Sequence, residues 1–320
     1  MTLLAETLCR PVVEGRRQVW FIARDENGQE IDAIEVSGPN AGNEGLASGV
    51  DLGDRELRQM WHAPRQFEDL EVIGRPGAKG GHPQVGVRTW TMRVNTMATL
   101  DKSWSQVENR LWSLTTPDRH SGRTGQFFIR FKEFTGEARE IQVRRNTAPE
   151  PSSDLFAGQR GHENWSFEVA ALDPWWYGPT ITRRFENADG SGEAVLRMRN
   201  PGDQPGHLRW IIPQSEHDQT WTIPDGLGVY PAGHERAGER IMHELPTVRA
   251  GEIAEVDTRP YRLPFRVLGH PMSFGRMQLR RFTHPLPPRS DWLDLPVSVD
   301  GGLDAGIEVR LQPAYDRPHS

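Results

Sequence analysis

A chain of 320 residues with a formal net charge of −6 exceeds the usual size of one β-sandwich and suits two domains, each with its own core. The acidic balance argues against a duplex-DNA binder, and the single cysteine, Cys9, excludes an internal disulfide or a cysteine-ligated zinc within one chain. No apolar run approaches the roughly 18 residues of a membrane-spanning helix, and MTLLAETLCRPVVEGRR lacks the basic-then-apolar order of a signal peptide, so membrane insertion is not expected and a cytoplasm is the expected site of folding.

The 32 glycines and 25 prolines punctuate nearly every apolar stretch, which favours many short strands over long helices, while 11 tryptophans and 12 phenylalanines supply large core side chains. The first strand is Gln18 to Ala23, apolar on both faces. The run DENGQ from Asp25 to Gln29 holds the Asn-Gly pair of a tight hairpin, with Ile31, Ile34 and Val36 returning. Ser37 to Gly53 is nearly all small or polar, and is expected to be an arm that its own packing does not fix. Arg65 to Gly86 carries Gly74, Gly77, Gly80 and Gly81 in what is expected to be a loop, since neither GxxxxGK[ST] nor GxGxxG is present to cradle a phosphate.

Arg88 to Asn95 alternates Trp90, Met92 and Val94 with polar residues, a half-buried strand. The one helix expected is Ser103 to Leu114: Ser103 and Gln106 fit a capping box, and Trp104, Val107, Leu111 and Leu114 share a face. Pro117 ends it. Phe127, Ile129 and Phe131 mark a strand, Gly136 a turn, and Ile141 and Val143 the returning strand. Trp165, Phe167, Val169 and Ala171 then alternate along a further strand, which stops at Asp173 and Pro174 because proline has no amide hydrogen to donate. The cluster Trp175, Trp176 and Tyr177 follows, and with Asp173 and Pro174 it is expected to be an aromatic plug between two all-β domains, 1–178 and 179–320. In the second domain Ala194, Leu196 and Met198, then Leu208, Trp210 and Ile212, then Ile253 and Val256, then Ile307, Val309 and Leu311 form a strand series without a helical period, as in a sandwich or jelly roll.

No catalytic or metal site emerges. The histidines, His207, His217, His234 and His243 among them, fall in turns without HExxH or HxH spacing, and there is no GxSxG. Glu252, Glu255 and Asp257 lie close along one strand, where a glycosidase could use such a pair, although acids flanking a turn are the commoner case. Trp210, Trp221, Tyr230 and Tyr261 are candidates for stacking on sugar rings, against the alternative of core packing. No cofactor is expected.

In order, the helix ending in LWSLTTP, the strand ending in QVRRN, NWSFEVAALDPWWYGP, NPGD at Asn200, AGEIAEVDTRP and PLPPRSDWLDLPVSVDG resemble the distal tail proteins of long-tailed, siphovirus-type bacteriophages. The resemblance implies a mainly-β chain: a ring-forming N-terminal β-sandwich bearing a helix, then a galectin-like β-sandwich. It implies a non-enzymatic virion component at the distal end of the tail, assembled in the host cytoplasm. Six copies would form a ring that meets the tail tube and tape measure proteins and serves as a hub for tail-tip, baseplate or receptor-binding proteins. A carbohydrate-binding module acting in host adsorption is the alternative. Asp25 to Met60 departs from the family pattern and is expected to be an added contact arm.

Overall fold

The computed structural model describes residues 17–25, 28–42, 47–52, 60–67, 70–71, 78–79, 83–116, 126–133, 136–152, 160–270, 273–277 and 280–319. Cys9, Gly74, Gly77, Gly80, Gly81 and Pro117 lie outside them. The chain is mainly β and separates into two compact units, Met1–Tyr177 with Asp316–Ser320, and Gly178–Tyr315. The second unit thus ends at Tyr315, and the last five residues belong to the first.

In the first unit the strands run in the order Glu30–Ser37, Gln18–Arg24, Gln126–Lys132, Arg139–Arg145, His162–Ala171, Arg88–Met97 and Val50–Leu52, with antiparallel pairing throughout. Alternation dictates the inner face. Trp90, Met92 and Val94 of one strand, and Phe127, Ile129 and Phe131 of another, are all buried. The first hairpin turns where expected, with Gly28 at φ 81° and the Gly28 amide donating to the Asp25 carbonyl at 3.0 Å. The helix is Trp104–Thr115; the Ser103 amide donates to Gln106 Oε1 at 2.9 Å, and Val107, Leu111 and Leu114 face the core.

The stretch 37–53 departs from the expected loose arm. Its described residues are fixed: Ala47, Val50 and Leu52 are buried, and Val50–Leu52 is a strand. The sheet curls until its two outer strands approach one another, and Ser48 joins them by donating its hydroxyl to the Glu35 carbonyl at 2.6 Å. Few apolar residues suffice because backbone bonds do the rest: Gly42 to the Val50 carbonyl and Met97 to the Gly49 carbonyl, each at 2.8 Å.

The second unit is a sandwich. One sheet orders Ile181–Glu186, Gly306–Leu311, Leu208–Ile212, Ala254–Asp257 and Phe265–Val267; the other orders Glu193–Asn200, Ser290–Asp300, Thr220–Val229 and Arg240–Glu244. Leu196, Met198, Trp221, Leu295 and Val297 of the second sheet join one core with Trp210, Ile212, Val256, Ile307, Val309 and Leu311 of the first. Burying such side chains contributes about 1.5–3 kcal/mol each.

Candidate functional site

The Asp173–Tyr177 stretch is organised by Asp173, which accepts from the Tyr177 hydroxyl at 2.7 Å and from the Trp175 amide at 3.4 Å. Pro174 and Trp175 are half-buried, as is Tyr177, which pairs with Glu140 of the sheet. Trp176 is fully buried, edge-on to Phe131 at 6.4 Å, with its indole N–H on the Met60 carbonyl at 3.3 Å. These contacts place Trp176 in the first unit's own core.

The Met60 carbonyl also accepts from Arg88 Nη1 at 2.6 Å, and this cation, 1% exposed, is the residue that sequence reasoning missed. Arg88 Nη2 donates to the Asp316 carbonyl at 2.9 Å and lies 3.8 Å from the Asp316 carboxylate. Burial lowers the guanidinium to about 10 against the pull of Asp316, so it stays charged at neutral pH. Burial pushes the Asp316 carboxyl up, but the Ala63 amide, His62, Arg65 and Arg88 outweigh it and hold it below the usual carboxylate range. The knot fastens the chain's last residues into the first unit, and nothing in the local pattern around Arg88 announces it.

The segment 65–86 is not simply a loop. Arg65–Phe67 pairs with Pro83–Val85, and Leu70–Glu71 with Ala78–Lys79, as two small two-stranded sheets outside the main one. Phe67 on this ribbon is 60% exposed. The four glycines of this segment lie outside the described residues.

In the second unit the aromatic candidates divide. Trp210 and Trp221 are fully buried, so neither can stack on a sugar and the core-packing alternative holds for both; Trp221 lies edge-on to Phe185 at 6.1 Å. Tyr230 is half-buried, stacked on His234 at 4.4 Å and covered by Arg236 at 4.9 Å. Tyr261 is 96% exposed.

The carboxylates are held by arginine. Glu255 is bound by Arg209 and Arg266, Asp257 by Arg259 at 2.5 Å, and Glu252 by Arg276 at 3.2 Å. For Glu255 and Asp257 burial acts upward, yet the arginines win, and all three carboxyls lie below their ordinary values. A glycosidase acid needs the opposite shift. Ser215, His217 and Asp304 also meet, but the Ser215 hydroxyl bonds to Asp304 at 2.8 Å, and His217 Nδ1 engages the other carboxylate oxygen at 3.0 Å. The serine therefore has no imidazole base, which nucleophilic chemistry would need. Among the described residues no group of three or more His, Cys, Asp or Glu could hold a metal, and no helix is long and apolar enough to cross a membrane.

Among the concavities that the described residues line on this unit, two stand out. One, of about 490 Å³, lies over the second sheet where Thr222 pairs with both Ser298 and Glu244; its lining is hydroxyl and carboxylate, with no aromatic platform. The other, of about 310 Å³, is lined by His207, Asp257–Pro260, Arg262, Pro264 and Arg281–Pro285. Its wall at 283–284 is pinned by the buried Asp225, which accepts from the Thr283 amide at 3.0 Å and from His284 Nδ1 at 2.8 Å, with His243 at 3.8 Å. Burial acts upward on Asp225, and these donors hold it well below the usual range. Burial also lowers the His207 imidazole, leaving it neutral at pH 7.

No protein-family model matches the chain, and no curated protein matches it. Solved structures do. A chain of the phage P2 baseplate in its activated conformation with calcium is 7% identical, with a TM-score of 0.51 over 93% of this chain and 98% of that one. The corresponding strontium-bound baseplate gives 7% identity and a TM-score of 0.49 over 92% and 97%. The Dit protein (gp 19.1) of SPP1, described as a paradigm of the hub adsorption apparatus in phages infecting Gram-positive bacteria, is 11% identical, with a TM-score of 0.47 over 79% and 88%. The fold of this chain is thus shared nearly end to end with a chain of a phage baseplate.

Proposed function

We propose that this chain is a structural, non-catalytic virion protein of the distal tail type. In this reading copies of it, six in number, close a ring at the end of the tail tube of a long-tailed phage and serve as a hub for tail-tip or baseplate proteins. The observation that carries the reading is the fold match to a baseplate chain over 93% of this chain and 98% of that one. The ribbon at 65–86 supports the ring. A two-stranded ribbon alone is marginally stable in water, and Phe67 on it is 60% exposed, so a neighbouring copy supplies the surface it lacks. A head-to-tail contact of this kind produces a closed ring when its rotation closes. The arginine-held acids support a role without catalysis.

The tube and tape measure proteins are the partners on one side and tip or receptor-binding proteins those on the other, with assembly in the host cytoplasm. The test is native mass measurement and electron microscopy of the purified chain and of one whose residues 65–86 are replaced by a short Gly-Ser linker. Six-fold rings from the first and a folded monomer from the second are expected. A stable monomer of the intact chain at high concentration, with no ring at the tail tip, overturns the proposal.

A further inference from the structure

The cavity of about 310 Å³ in the second unit is a basic pocket on an acidic chain. Three arginines line it: Arg259, Arg262 and Arg281. Arg259 is committed, its guanidinium bonding both oxygens of Asp257 at 2.5 to 3.1 Å. Arg262 and Arg281 make no side-chain hydrogen bond or ion pair among the described residues, although the charge of Arg262 adds to the pull on Asp257. With Asp257 neutralised by Arg259, two guanidinium groups are left facing one opening, each able to present a planar fork of donors to an oxyanion.

Beside the polar His207, Thr258, Thr283 and His284, the rest of the lining is apolar and stiff. Pro260, Pro264, Pro285 and the buried Phe282 form walls, and the Asp225 carboxylate ties the 283–284 backbone down through both amides. Gly226, at φ +53°, admits this close approach, since a Cβ there would overlap the His284 carbonyl oxygen. A pocket already in its bound shape spends little on ordering when it is filled. Tyr261, between Pro260 and Arg262 in the chain, is not part of the lining itself and is 96% exposed, an aromatic face with no core to fill. The volume is at the small end of ligand sites, which run from about 300 Å³, and suits one sugar unit.

We propose that this pocket binds a saccharide carrying an oxyanion, phosphate or carboxylate, with Arg262 and Arg281 on the anion and the proline walls and Tyr261 against the sugar's C–H face. Ring assembly is not required for this, so the two readings fail separately.

The test is calorimetric titration of the full chain at low salt with glucose 6-phosphate, glucuronate, glucose, inorganic phosphate and a short Asp/Glu peptide. Saturable binding of at least one anionic sugar is expected, in the millimolar range typical of a few polar contacts, with glucose and phosphate each weaker by about tenfold or more. Preference between glucose 6-phosphate and glucuronate assigns the anion. Arg262→Ala with Arg281→Ala should weaken binding by about a hundredfold, and Tyr261→Ala by several-fold, at an unchanged unfolding midpoint. No saturable binding of either anionic sugar, equal binding of glucose, phosphate or the peptide, or binding indifferent to the arginine pair overturns the proposal.

Discussion

Replacing Arg88 by methionine tests whether the buried knot at the end of the chain holds the first unit together. Methionine fills most of the volume but makes none of the bonds to the Met60 carbonyl at 2.6 Å and the Asp316 carbonyl at 2.9 Å. The Met60 carbonyl keeps the Trp176 indole N–H, whereas the Asp316 carbonyl loses its charged donor, at a cost of about 1–3 kcal/mol. Removing one member of a buried ion pair costs about 3–5 kcal/mol when the other is left alone. Here the Asp316 carboxylate retains the Ala63 amide at 3.0 Å, His62 at 3.2 Å and Arg65 at 3.4 Å, so the total falls at the lower end, about 3 kcal/mol. For a unit of this size that corresponds to a fall of roughly 6–12 °C in the melting midpoint. Scanning calorimetry reads the midpoint, and hydrogen exchange locates the loss: Arg88–Met97 should lose protection while Leu208–Ile212 does not. The difference between wild type and variant should also shrink in acid. A carboxyl held below its unfolded value contributes stability above about pH 4, lost as pH falls through the folded value. A shift below about 2 °C, or equal loss of protection in both units, would refute the reasoning.

Three further outcomes can be checked by urea unfolding. Trp176→Ala is expected to cost about 3–5 kcal/mol, whereas Tyr261→Ala should stay within about 0.5 kcal/mol, because one ring is fully buried and the other almost wholly exposed. Asp225→Ala leaves the Thr283 and His284 amides without their acceptor and should cost about 3 kcal/mol at pH 7; since the Asp225 carboxyl is held low, the loss should narrow as pH falls below about 4. Gly226→Ala should destabilise the second unit by more than about 1 kcal/mol, for it meets both a positive φ and the His284 carbonyl.

Positions that pack by period were legible in the sequence. The capping box at Ser103, the alternation of Leu208, Trp210 and Ile212 and the stop at Pro174 each follow from one segment's own residues. Where the reading erred, distant groups decide. Thr220–Val229, not marked as a strand from the sequence, contains Pro224, Gly226 and Gly228, all poor strand residues, yet it pairs on both sides because the register shifts between Pro224 and Val229 and lets the two glycines sit in an irregularity. The 37–53 stretch is too polar to be fixed by its own packing, but its bonds run out to Glu35 and Met97. Arg88 and Asp316 are 228 residues apart, beyond any local pattern.

The sandwich core of the second unit uses residues that any strand of that period would carry, and it leaves the charged and polar chemistry to the segments at its ends. Arg259, Arg262, Arg281 and His284 lie outside the strands, while Asp225, on a strand, fixes the backbone from which His284 projects. The scaffold is thus indifferent to what the pocket holds. Changing Arg262 or Arg281 alters the opening without touching a buried side chain, whereas changing Asp225 or Gly226 moves the wall itself. Loss of ligand at constant stability on one set, and loss of both together on the other, is the pattern this arrangement requires.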